Sequence, residues 1–126
     1  MEIQKEAHWK NEEWSWGKFV ERVSGTHRTA ERLAEYMSAT KTRQDEIKDI
    51  GGFVGGYLRG GKRRKENVVS RRLLTLDIDF ASADCWDIFC VMYDCASLVY
   101  STHKHTPEKP RLRLVILLDR DVTPEE

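Results

Sequence analysis

Cysteine and proline are scarce, with three of each in 126 residues, and neither charge sign prevails, because 21 basic residues face 21 acidic ones. The odd cysteine count argues against a disulfide framework. The five-residue spacing of Cys85, Cys90 and Cys95 fits neither a zinc knuckle nor one helix face. All three are expected to be small buried hydrophobes. A formal net charge of +0 excludes a uniformly basic nucleic-acid coat, though not a local patch. No apolar run approaches the ~20 residues of a membrane span. Residues 1–6 lack the apolar core of a signal peptide, so a cytoplasmic location is expected.

Periodicity predicts a helix over residues 11–24, with Trp16, Phe19, Val20 and Val23 on one side. A second helix is expected over 29–39, and a third after a Thr40 cap, ending at Gly51-Gly52. Trp14, Trp16 and Tyr36 read as core. Glycines then alternate with apolar pairs through residues 51–61 and run into Lys62, Arg63, Arg64 and Lys65. Glycine permits close backbone approach, either by a partner or within a kinked strand, and the basic cluster offers phosphate contacts to nucleic acid.

From residue 71 the pattern sharpens. A strand is expected over 72–80, a helix over 83–94 behind Ser82, a strand over 96–101 and another over 112–118. Thr123 and Pro124 have the chemistry of an N-cap and first helical position. A helix that starts there without a body leads to the expectation of a fragment, truncated at its C-terminus. Residues 1–126 are expected to form one partial catalytic domain, helical over 1–50 and sheet-containing over 51–126.

The order β-α-β-β matches the first two-thirds of a ferredoxin-like, RNA-recognition-motif-like unit, an α+β class with an N-terminal helical and glycine-rich strand extension. A crossover helix makes the first two strands parallel, so their C-terminal ends share one edge. Asp77 and Asp79 end the first strand, Ser101 and His103 end the second, and an antiparallel third strand returns Arg111 and Arg113 to the same edge. Alternation puts Leu74, Leu76, Ile78 and Phe80 on the helix side and Thr75, Asp77 and Asp79 on the open face. Two carboxylates at i and i+2 are costly without a cation between them, and hard oxygen ligands suit Mg²⁺ or Mn²⁺. Metal-held acids with a histidine and arginines nearby suit phosphoryl or nucleotidyl transfer.

Leu76-Asp77-Ile78-Asp79 followed by Ser101-Thr102-His103 resembles the archaeo-eukaryotic primase superfamily, the primase-polymerases. Residues 48–56 and 106–114 look like the subgroup of primase-like N-terminal domains in phage, plasmid and virulence-associated replication proteins. The resemblance runs from about residue 29 to the end. It implies template-directed primer synthesis from nucleoside triphosphates, with Asp77 and Asp79 on the catalytic metals. His103 and Ser101 would contact the incoming nucleotide. Geometry adds Lys104, Arg111 and Arg113 as further phosphate contacts.

The superfamily has a third acidic motif. Asp119 and Asp121 follow the third strand, and about seven residues at ~3.3 Å each put Asp119 more than ~20 Å from the acid edge, so it is rejected. The third carboxylate is expected beyond residue 126, which leaves this stretch a weak metal binder and no polymerase alone. The resemblance also implies a helicase-type ATPase domain as C-terminal companion, whose phosphate-binding Gly-Lys-Ser/Thr loop does not occur here. Two rivals remain. One is a replication-initiator nuclease, suggested by His103-Lys104-His105 but lacking a helically spaced tyrosine. The other is a non-catalytic single-stranded nucleic-acid-binding module.

Overall fold

Leucine and β-branched residues dominate two long segments, and each forms an eleven-residue strand, β2 (Val68–Ile78) and β4 (Leu112–Val122). The computed structural model describes residues 8–25, 32–48 and 53–126. The other elements are α1 (Trp16–Ser24), α2 (Leu33–Ser38), α3 (Lys41–Lys48), β1 (Gly56–Leu58), α4 (Cys85–Met92) and β3 (Ser97–Ser101). Residues 29–31, His27 and 49–52, on which expectations also fell, lie outside the described residues. Among the described residues no helix is long and apolar enough to cross a membrane.

The chain is α+β, with one antiparallel four-stranded sheet in the order β1-β2-β4-β3. β2 and β3 both run antiparallel to β4, which lies between them, so the two strands joined through α4 point the same way. This is the ferredoxin-like β-α-β-β arrangement, and β1 from the glycine-rich extension adds the fourth strand beside β2. Leu114 and Val115 of β4 are both buried, at 6% and 0% exposure. Adjacent strand residues face opposite ways, so the centre of β4 is covered on both faces.

Local chemistry explains the helix starts. The Ser15 hydroxyl accepts from the Lys18 amide at 3.1 Å and the Thr40 hydroxyl from the Arg43 amide at 3.2 Å, each filling an orphan donor of a first turn. Helix α1 buries Phe19, whose ring meets Phe53 edge-on at 4.9 Å. Trp14 is exposed at the surface, under the Lys18 ammonium, rather than in the core.

β1 depends on glycine at Gly56, where an added Cβ would collide with the Ser70 carbonyl and the Arg71 backbone. The close approach that glycine permits is therefore to the protein's own strand. Asn11 closes the outer side of β1. Its amide donates to the Leu58 carbonyl at 2.7 Å, and its carbonyl accepts from the Leu58 amide at 3.0 Å. Gly60 and Gly61 then turn with φ of 75° and 70°, a region that suits glycine.

Two packing expectations need correction. The cysteines are free thiols but not buried, because Cys90 and Cys95 are exposed and Cys85 is half-buried. The apolar face led by Leu74 and Leu76 is only partly covered, with both residues more than 40% exposed. Helix α4 is shorter than expected, and its aromatic residues stack partly on one another, Trp86 on Phe89 at 5.7 Å and Phe89 on Tyr93 at 5.1 Å.

Candidate functional site at the shared strand edge

The antiparallel register of β4 fixes what meets at the sheet edge. Asp77 of β2 stands opposite Arg113 of β4, and Arg113 stands opposite Tyr100 of β3. Directly opposed residues share a face, so these three form one row. Arg113 Nε donates to Asp77 Oδ1 at 2.6 Å, and its Nη1 donates to the Tyr100 hydroxyl at 3.4 Å. The Asp77 contact holds the Arg113 guanidinium more firmly charged than usual, against the opposing effect of partial burial, with a further contribution from the Tyr100 hydroxyl.

Ser101 lies in the next row with Leu112 and Ile78, hence on the opposite face from Asp77. Strand β2 ends at Ile78, and Asp79 begins the turn beyond it, exposed to solvent. Of the two acids, only Asp77 is therefore in strand register. His103, Lys104 and Arg111 are half-buried in the connection between β3 and β4. The edge of Asp77, Ser101, Arg111 and Arg113 is thus shared, while Ser101 faces away from Asp77 and Arg113.

Two loops, after β2 and between β3 and β4, are laced together at this edge. The Thr102 amide donates to the Arg111 carbonyl at 3.0 Å, extending the β3–β4 ladder by one step. The Arg111 amide donates to His105 Nδ1 at 3.1 Å. The Ala81 amide, just past Asp79, donates to the Pro110 carbonyl at 3.3 Å. Helix α2 adds Tyr36, whose ring lies 4.4 Å from that of His103.

None of Tyr36, Tyr100 and His105 was expected at this edge. Strand parity could have found Tyr100, which alternates with Ser101. Tyr36 gave no local signal, since its partner is remote in sequence. His105 stood out only as half of a His-x-His pair. Its Nδ1 is engaged by backbone and the His103 ring by Tyr36, so the two imidazoles do different things.

Asp77 and Asp79 fit a hard cation in kind, being exposed carboxylates at a strand end, and Mg²⁺ commonly takes one or two carboxylates with the remaining positions filled by water and phosphate. Among the described residues no group of three or more His, Cys, Asp or Glu could hold a metal. A cation at Asp77 would compete with Arg113 for Oδ1. Asp119 and Asp121 lie toward the far end of β4, and Asp121 pairs with Arg72 at 3.8 Å, in keeping with their exclusion.

Residues 62–65 are exposed and lie at the opposite end of β2 from Asp77. The Arg63 guanidinium sits 5.5 Å from the Trp9 ring centroid.

A family model, that of the VapE N-terminal domain, matches residues 2–126. No curated protein and no solved structure matches the chain.

Proposed function

We propose that this chain, which belongs to the VapE N-terminal domain family, a domain of virulence-associated replication proteins, serves nucleotidyl transfer in replication of a mobile element. The reaction class is primer synthesis from nucleoside triphosphates on a DNA template. One observation carries the reading: the Asp77–Arg113–Tyr100 row stands where the ends of β2 and β3 meet the start of β4. The primase-like pairing of Asp77-x-Asp79 with Ser101-x-His103 supports it from the sequence.

Asp77 and Asp79 would hold Mg²⁺ or Mn²⁺, which supplies charge neutralisation for the triphosphate and the attacking oxygen. Arg113, already charged and aimed along the row, offers its fork to phosphate oxygens once Asp77 turns to the cation. His103 is held by the Tyr36 ring, and a held donor loses less rotamer freedom on contacting a phosphate. Lys104 and Arg111 add positive charge along the same connection. Residues 62–65 would contact nucleic acid. A helicase-type ATPase domain is the proposed companion in the replication protein.

A second reading, nucleic-acid binding without catalysis, draws on the absence of a third metal-binding group among the described residues. Incorporation of labelled nucleotides with Mn²⁺ separates the two. It is measured in the chain and in a longer form of the protein, each with and without the Asp77→Ala/Asp79→Ala pair. Synthesis by the longer form that the double alanine abolishes supports the first reading. Full synthesis by the double alanine removes it.

A further inference from the structure

Two adjoining depressions, of about 460 and 440 Å³, flank the start of β2 at the end of the sheet remote from Asp77. They share Lys65, Val68, Thr123 and Pro124 as walls. Cations come to them from three separate stretches: Arg59 after β1, Arg63 to Lys65 after the glycine turn, and Arg71 within β2. The walls also carry Glu66, Glu125 and Glu126, of which Glu126 is bound by Arg120 at 2.9 Å and by the Thr123 amide at 2.8 Å. Five cations against three acids make a local positive excess in a chain with no net charge.

The separation decides what this groove can serve. Val68 opens β2 and Asp77 stands nine residues later. At ~3.3 Å per residue that is about 30 Å, too far for one nucleotide to reach both. Cations spread over three segments match a polymer of regularly spaced phosphates better than a single compact anion. Trp9, lying against Arg63, adds the aromatic surface that basic grooves use for unpaired bases.

We infer that the groove between residues 59–71 and the turn at 123–126 is a docking track for the phosphate backbone of a single-stranded nucleic acid, about 30 Å from the Asp77 edge. The inference rests on the nucleic-acid half of the proposed function and extends it from the basic tetrad to Arg59, Arg71 and the C-terminal turn.

The test is fluorescence anisotropy of labelled twelve-nucleotide oligothymidine and oligouridine with the full chain across a salt series. Arg59→Ala/Lys65→Ala is expected to weaken binding about tenfold and to flatten the salt slope by about 1.4, the share of two phosphate contacts. Arg22→Ala/Lys41→Ala, exposed cations on α1 and α3, is the control and should bind as the parent does. Wild-type affinity and slope in the groove variant, or equal weakening in the control, overturns the inference. Should the double alanine lose its native circular dichroism, Arg59→Gln/Lys65→Gln is read by the same criteria. Manganese-dependent binding of a nucleoside triphosphate, followed by calorimetry, is expected to be unchanged by the groove variant, and a parallel loss there overturns a separate track. Absence of triphosphate binding by both the unmutated chain and the longer form, with oligonucleotide binding intact, would instead sink the catalytic reading and leave the groove standing.

Discussion

The ring of Tyr36 lies 4.4 Å from the imidazole of His103, inclined at 54°, with Tyr36 only 2% exposed. A residue of the helical N-terminal part thereby buttresses the loop between β3 and β4. The Tyr36 hydroxyl is buried and finds no hydrogen-bond partner among the described residues. Tyr36→Phe removes that orphan and should be neutral or stabilising by up to about 1 kcal/mol in urea unfolding. Tyr36→Ala should cost about 3–5 kcal/mol and shift the His103 resonances in NMR spectra. A clear loss of stability in Tyr36→Phe would mean that the hydroxyl has a partner.

Arg113→Ala separates stability from metal binding. The Asp77–Arg113 pair is substantially exposed, so its loss should cost no more than about 1 kcal/mol. Freed of the guanidinium, Asp77 should bind Mn²⁺ more tightly, by severalfold, in the absence of nucleotide. Affinity for a nucleoside triphosphate should fall in the same variant. Calorimetry with Mn²⁺ alone, then with triphosphate, reads both; movement in the same direction contradicts the assignment.

Gly56→Ala should damage the β1–β2 pairing, because the new methyl meets strand backbone that cannot rotate away. A loss of about 1–3 kcal/mol is expected. Gly60→Ala meets nothing within 4 Å and has only its φ of 75° against it, about 1 kcal/mol. Urea midpoints of the two variants give the ranking, and the reverse order would refute the close approach.

Glu126 provides a pH marker. The Arg120 guanidinium, then the Thr123 amide, holds its carboxyl down at about 2. A carboxyl depressed in the folded state favours folding above its ordinary value of 4.5 and loses that contribution as pH falls toward 2. NMR titration of the side-chain carboxyl should show a midpoint well below the usual range, returning toward it in Arg120→Ala and in high salt.

Much of this was legible in the chain. The alternation of Leu74, Leu76 and Ile78 with polar neighbours, matched by Leu112, Leu114 and Ile116, gave the pairing seen in the register. The crossover rule then placed Asp77 and Arg113 at a common edge. The exit of Asp79 from the strand was not legible: the turn that takes it is bonded through Ala81 to Pro110, and those two loops meet only in the fold. Ser101 faces away from Asp77, because parity along β3 carries across Leu112 to Ile78. The sharing of His103 with Tyr36 depends on how α2 docks, which no local pattern encodes.

The bidentate grip of Asn11 on Leu58 has a consequence for self-association. A strand whose outward amide and carbonyl are already occupied offers no template to a neighbouring molecule. β1 is one of the two margins of the sheet, so at Leu58 an incoming strand meets a side-chain amide where it would need backbone partners.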